Sequence, residues 1–214
     1  MIEKYNSIVF DCDGVLLNSN KLKSEAFYKA ALPYGVEAAN DLVSYHMKNG
    51  GVSRYIKFEL FLRDLIPKGA LGPSIDELLN VYAVEVRQGL LTCEIAKGLA
   101  ELREKTITSD WFIVSGGDQQ ELREVFRLRG LTSLFNGGIY GSPSTKDEIL
   151  ESLIVSDKVS DSGLFLGDSK YDYLAATKAN LDFIFVSDWS EFFEWDHYFS
   201  DKDIPVVSRL SDLL

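Results

Sequence analysis

Cysteine is nearly absent from the 214 residues: Cys12 and Cys93 are the only two, they stand far apart, and they fit no metal-ligand spacing. That excludes a disulfide framework and a cysteine-type zinc site, and it points to a reducing, cytoplasmic setting. No apolar run approaches the roughly 18 residues of a membrane span, and the opening residues lead into a strand-like segment with no targeting sequence to be read there. Positive charge is also short: 22 Lys and Arg face 33 Asp and Glu, a net charge of −11. Such a surface repels nucleic acid and anionic membranes, so neither is expected as a partner. An anionic substrate would have to be met by a metal and a few placed cations. Repeats and low-complexity stretches are missing as well. What remains is a chain with 46% apolar residues, enough for a sizeable core in one domain or in a domain carrying an inserted module.

Short apolar runs that stop at small or acidic residues set the fold class. Ile8-Val9-Phe10, Trp111-Phe112-Ile113-Val114, Leu164-Phe165-Leu166 and Phe183-Ile184-Phe185-Val186 read as strands buried on both faces, with a weaker strand at Gly138-Ile139-Tyr140 toward one edge. Helical segments lie between them: 119–129 closed by Gly130, 145–153 opened by a Thr145/Glu148 capping box, and 171–179 closed by Asn180. Strands alternating with helices predict an α/β fold built on a doubly wound parallel sheet.

The alternation breaks between residues 18 and 91. There, helical patterns at 21–32, 41–48, 54–65 and 75–89 follow one another across Pro33-Tyr34-Gly35, Gly50-Gly51 and Pro67-Lys68-Gly69. This predicts a helical domain, residues 18–90, inserted into a core made of 1–17 and 91–214. Inserted directly after the first strand, it would hang over the carboxyl edge of the sheet, where open parallel sheets bind ligands.

Reactive residues collect at that edge. Asp11 and Asp13 follow the first strand, Ser115-Gly116-Gly117 the second, and Gly167-Asp168-Ser169-Lys170-Tyr171-Asp172 the third. Carboxylates just beyond a strand end can converge instead of alternating across the sheet. A serine hydroxyl beside free N–H groups, opening a helix, suits phosphate oxygens. Asp168 and Asp172, four residues apart, share one helix face. Lys146 falls in the first turn of a helix, the unfavourable end of the dipole for a cation, so a phosphate or the Asp11 carboxylate is needed to select it there. Taken singly, each has an ordinary alternative: acidic pairs cap turns, serine caps helices, and an exposed lysine at a helix start is tolerated at about 0.5 kcal/mol. Together they would be coincidences in the right order along one α/β chain.

In this order the residues resemble the haloacid dehalogenase superfamily, specifically its phosphatases of subfamily I, with a helical C1 cap after the first strand, similar to phosphoglycolate phosphatase and β-phosphoglucomutase. Val9-Phe10-Asp11-Cys12-Asp13-Gly14-Val15-Leu16 matches the first motif and Ser115 the second. Lys146 within Gly141-Ser142-Pro143-Ser144-Thr145-Lys146 matches the third, and Gly167-Asp168 with Asp172 the fourth. The resemblance spans essentially the whole chain. It implies that the Asp11 strand is central, flanked by those of Ser115 and Asp168, with Asp168 within about 5 Å of Asp11.

The resemblance further implies a Mg²⁺-dependent phosphatase acting on a small-molecule phosphate ester such as a sugar phosphate, as a monomer or homodimer. Asp11 would be the nucleophile that forms an aspartyl-phosphate, and Asp13 the acid and base. Ser115, the Gly116 N–H and Lys146 would bind the phosphoryl group. Mg²⁺ would be held by the Asp11 and Asp168 carboxylates and the Asp13 main-chain carbonyl, with Asp172 supporting from behind or through water. An aspartate at position 13 favours phosphate esters over dehalogenation, which needs no acid. A sugar phosphomutase of the β-phosphoglucomutase type is the alternative, differing in whether water or a second hydroxyl receives the phosphoryl group. A third reading, a non-catalytic binding or regulatory protein on the same fold, would be signalled by loss of one of these residues, and none is lost.

Within the insert, His46, Lys48, Arg54 and Lys57 surround the Gly50-Gly51 break and could present polar or cationic groups to the substrate. The alternative is a solvated helix face with His46 as filler. The aromatic cluster from Trp189 to Phe199 reads as packing, or else as a partner surface. Cys12 is expected to point away from the aspartates into the core, and His197 has no partner in view.

Overall fold

The computed structural model describes residues 2–160 and 162–214. Six parallel strands form one sheet in the order β3-β2-β1-β4-β5-β6. They are β1 Ser7–Phe10, β2 Asp110–Asp118, β3 Gly138–Ser142, β4 Gly163–Gly167, β5 Asp182–Val186 and β6 Val206–Val207. The Asp11 strand is therefore central, with the Ser115 and Asp168 strands on either side. Phe10 pairs with Ile113 on one neighbour and Leu166 on the other, so the three chains leave the sheet at nearly one level.

The middles of β1, β2, β4 and β5 are apolar because both faces of the sheet are covered there. Ile8, Phe10, Trp111, Ile113, Leu164 and Leu166 join one cluster, while Val9, Phe112, Val114, Phe165 and Phe183 join the other. The first face is closed by α5 (Leu99–Lys105) and α6 (Gln119–Leu128) through Leu102, Leu122 and Phe126. The second is closed by α7 (Lys146–Val155) and α8 (Lys170–Lys178) through Leu150, Leu153 and Ala176. Trp111 is fully buried, its ring 4.6 Å from that of Phe10, and its indole N–H donates to Thr106 Oγ1 at 2.9 Å.

Between β1 and α5 come α1 (Asn20–Ala31), α2 (Val36–Lys48), α3 (Arg54–Leu60) and α4 (Ile75–Thr92), with a π-helical turn at Phe61–Leu65. Helix α1 packs on α2 and α4, and Phe27, Leu42, Phe58, Leu78 and Tyr82 form a core continuous with the first face of the sheet. The chain enters and leaves this bundle through two paired segments: Asn18 N–H donates to Glu94 O and Ala96 N–H to Leu16 O, each at 2.9 Å.

The structure departs from the sequence reading at identifiable places. Helix α2 begins at Val36 and not at 41, with no side-chain cap to announce it, because Gly35 at φ 106° turns the chain straight into the helix. Helix α4 continues past 89, since Gly89 is there for close packing: a Cβ at that position would lie 2.3 Å from Leu22 Cδ1 of α1. Strand β2 runs on through Ser115, Gly116 and Gly117, which the sequence places after the strand at the opening of the helix. The helix that follows is capped by Asp118, whose Oδ1 accepts from Glu121 N–H at 2.8 Å, and not by Ser115. Helix α5, the short α9 (Trp195–Tyr198) and β6 were not foreseen.

Phe192, Trp195 and Phe199 stack over Phe185 of β5, so the aromatic cluster is chiefly packing, with Phe193 left exposed. Among the described residues, no helix is long and apolar enough to cross a membrane.

Candidate active site

Asp11 stands one residue beyond β1, and its N–H makes a last ladder bond to Leu166 O at 2.9 Å. That bond fixes where the carboxylate leaves the sheet. Lys146 reaches up from the first turn of α7, fully buried, and donates to Asp11 Oδ1 at 2.7 Å and to Asp172 Oδ1. The selection that the unfavourable helix position demanded is therefore supplied by two carboxylates. Asp172 Oδ2 accepts from Ser169 Oγ at 2.6 Å, Ser169 N–H at 3.0 Å and Asp168 N–H at 3.2 Å. Asp172 thus holds Lys146 with one oxygen and shapes the turn that carries Asp168 with the other.

Asp11, Asp168 and Asp172 are all buried, and each offers a carboxylate oxygen within 4.8 Å of the others. Lys146 is the cation set among these three. Burial pushes the Asp11 carboxyl up to about 7 against the pull of Lys146, and Asp172 and Asp13 add to the rise. Burial, then the charges of Asp11 and Asp172, raise Asp168 well above its ordinary value. An all-oxygen cluster with surplus negative charge suits a hard divalent cation, so these residues fit the metal that the sequence led us to expect. The loop beneath is glycine-dependent: Gly14 has φ +79°, and a Cβ on it would lie 2.1 Å from Asp168 Oδ2.

Two residues not singled out from the sequence, Lys23 and Asn20, prove central. Lys23 Nζ donates to Asp13 Oδ2 at 2.5 Å, and Ser19 Oγ donates to Asp13 Oδ1 at 2.6 Å. Burial works against the Asp13 carboxylate, but Lys23, Ser19 and Lys146 outweigh it and hold the group below its ordinary value. Asn20 Nδ2 donates to Asp168 Oδ2 at 2.7 Å and to Trp189 O at 2.9 Å. Asn20 and Lys23 lie one turn apart at the start of α1, directly after the first motif. That i, i+3 polar pair was the available signal.

Asp11, Asp13, Gly116 and Asp168 line a cavity of about 280 Å³, faced from the helices by His46, Arg54 and Lys57. Ser115 and Lys146 are wholly buried behind its wall, and Ser115 Oγ accepts from Gly117 N–H at 3.0 Å. Of the insert residues, only Lys48 fits a solvated face, standing exposed on the rim. Arg54 is buried and pairs with Glu121 of α6 at 2.8 Å, and Lys57 Nζ lies 2.7 Å from His46 Nδ1. The insert is seated against the sheet edge: a Cβ on Gly116 would lie 2.0 Å from the Gly51 carbonyl oxygen. Cys12 packs into the first-face core, as expected.

No curated protein matches the chain. Among solved structures, a provisionally named phosphoglycolate phosphatase from Lactobacillus plantarum is 20% identical with a TM-score of 0.74, covering 98% of each chain. CbbY from Rhodobacter sphaeroides in complex with phosphate is 18% identical with a TM-score of 0.73, over 98% of this chain and 96% of that one. A haloacid dehalogenase-like family protein from Streptococcus pneumoniae is 19% identical with a TM-score of 0.70, over 100% of this chain and 98% of that one. At such identities these likenesses establish the fold. Residues 8–186, which carry the whole acidic cluster together with Lys146, match the family model of the haloacid dehalogenase-like hydrolases, and the chain belongs to that family.

Proposed function

We propose that the chain is a Mg²⁺-dependent phosphatase of small organic phosphate monoesters that works through an aspartyl-phosphate on Asp11. The observation that carries this reading is the buried Asp11, Asp168 and Asp172 cluster with Lys146 bonded to Asp11. The Asp11 and Asp168 carboxylates and the Asp13 main-chain carbonyl would hold Mg²⁺, with Asp172 behind them. When bound, Mg²⁺ neutralises the repulsion between phosphoryl oxygens and a carboxylate nucleophile.

In the first half-reaction Asp11 Oδ2, the oxygen that Lys146 leaves free, bonds to phosphorus as the ester P–O bond breaks, and Asp13 gives its proton to the leaving oxygen. In the second, Asp13 takes a proton from the attacking water, the P–O bond to Asp11 breaks, and inorganic phosphate departs. Lys146 steadies Asp11 throughout, while Ser115 and the Gly116 N–H receive phosphoryl oxygens. Asp13 ion-paired to Lys23 is in its basic form, ready for the second half-reaction. The first requires that pair to loosen. A cytoplasmic enzyme for a small metabolite, without nucleic acid or membrane as partner, accords with the low cysteine count and the net charge of −11.

Residues 18–90 would act as the cap that excludes water, a role supported by Gly51 resting on Gly116. The Gly116→Ala protein is expected to keep its thermal midpoint within a few degrees yet lose on the order of 10²-fold in kcat/KM, because its methyl group meets a backbone carbonyl and holds the cap off. Unchanged kinetics would remove the cap from the mechanism.

The test of the function is phosphate release from a panel of sugar phosphates, phosphorylated acids and nucleotides, with Mg²⁺ or with chelator. Release only with Mg²⁺ is expected. Mg²⁺ at 100 times its Kd is also expected to stabilise the fold by about 2.7 kcal/mol, an increment lost in Asp168→Asn. Isomer formation with a bisphosphate activator, in place of release, would assign a phosphomutase. Neither product would leave a binding protein.

A further inference from the structure

The cavity holds one buried cation that the acidic cluster does not account for. Lys23 is paired with Asp13 and Arg54 with Glu121, while Lys48 and Lys170 stand exposed at the rim, where water solvates them. Lys57 is 1% exposed and, among the described residues, has no carboxylate within ion-pair distance. Its contacts are His46 Nδ1 at 2.7 Å and the face of Phe27, whose centroid is 5.5 Å away.

An ammonium donates and cannot accept, so His46 Nδ1 must be the acceptor and the proton of the neutral ring sits on Nε2. Burial, followed by Lys57 and Lys23, keeps the imidazole neutral. His46 is itself buried, and among the described residues its Nε2 has no hydrogen-bond partner. Glu191 Oε2 lies 3.9 Å away, beyond hydrogen-bond range, and Glu191 accepts instead from Ser24 Oγ, 2.9 Å from Oε2 and 3.2 Å from Oε1. An unmatched buried charge beside an unmatched buried donor, both on the wall of the same cavity as Asp11, is costly unless something arrives to pair with them.

We propose that Lys57 and His46 form a subsite for a carboxylate, so that the substrate is a phosphate monoester that also carries a carboxylic acid. A carboxylate oxygen would accept the Nε2–H of His46 while the Lys57 ammonium balances the charge. One ammonium, a neutral imidazole and a nearby Glu191 match a monoanion and are too little for a second phosphate dianion. A neutral hydroxyl would leave Lys57 uncompensated. Burial, then Lys23, presses the Lys57 ammonium down to about 7, as expected of a buried cation with no carboxylate against it. The inference rests on the phosphatase reading for its phosphate end only.

The test uses matched esters that differ in the acid: 3-phosphoglycerate against glycerol 3-phosphate, and 6-phosphogluconate against glucitol 6-phosphate. The wild-type protein with Mg²⁺ is expected to prefer at least one acid member by tenfold or more in kcat/KM. In Lys57→Met that preference collapses toward parity, chiefly through KM, and Lys57→Arg keeps part of it. Lys57→Gln serves if the Met variant does not fold. No preference in the wild type, or equal losses on both members of a pair, would overturn the subsite and leave the Lys57–His46 pair as structure. Acetyl phosphate, which has no carboxylate, tests the phosphatase reading alone. If it and every other ester resist hydrolysis, the same preference is read as calorimetric affinity in wild type against Lys57→Met, and the subsite stands or falls on that ratio.

Discussion

The Asp11→Asn protein is expected to fold normally and to release phosphate at least about 10⁴-fold more slowly than the wild type, because an amide oxygen cannot form the acyl-phosphate bond. The change is nearly isosteric and removes one of the three clustered buried carboxylates. Lys146 keeps Asp172 as its partner, so no cation is orphaned. In chelator, therefore, the thermal midpoint is expected to hold or rise, since the carboxyl lost is one that burial makes reluctant to ionise. This combination, catalysis gone with stability intact, separates a chemical role from a structural one. Activity within tenfold of wild type would refute Asp11 as the nucleophile.

Lys146→Met is expected to do the opposite to stability. It strips the cation from between Asp11 and Asp172 and leaves buried carboxylates facing one another. Breaking a buried pair from one side costs about 3–5 kcal/mol, to be read by urea unfolding in chelator at pH 8. The sign with pH follows from linkage. Burial already raises Asp11 and Asp168 against the pull of Lys146, and without that lysine they stand further above their unfolded values of about 4, so the folded state binds more protons and its stability falls as pH rises from about 4 through their raised values. At pH 5 much of the deficit should therefore be absent, and Mg²⁺ at pH 8 should restore part of it. Turnover with Mg²⁺ is expected to drop about 10²–10³-fold, the usual effect of removing one preorganised donor. Equal stability of variant and wild type at pH 8 would contradict the coupling described here.

Much of this site could be read from the chain because of where it sits. A strand covered on both faces is apolar along its middle, so Ile8-Val9-Phe10 and Leu164-Phe165-Leu166 announce themselves, and the aspartate just past each strand, Asp11 and Asp168, marks the sheet edge. Lys146 was legible for the opposite reason: it violates the helix dipole, and a violation calls for a partner. Ser115 with its two glycines reads from the chain as the opening of the next helix. In the folded protein they stay extended within β2, in the irregularity where the pairing with β3 shifts register between Val114↔Tyr140 and Asp118↔Ser142.

What the sequence hid were relations between distant segments. Lys23 looks like any surface lysine of a helix until Asp13 is found beside it. Glu121 and Ser24 carry no local sign that they meet Arg54 and Glu191. Two-residue β6 is too short to show a period, and the start of α2 has no capping side chain to mark it.

Asn20 and Lys23 belong to the first turn of the insert, yet their carboxylate partners, Asp168 and Asp13, belong to the sheet edge. The insert is consequently not an interchangeable cassette. A chimera that exchanged residues 18–90 for those of a relative would replace the lysine that sets the charge of Asp13 along with the walls of the pocket. A graft beginning after Lys23 would change the ligand while sparing the acid and base. The module that an engineer could swap is therefore shorter than the one the topology displays.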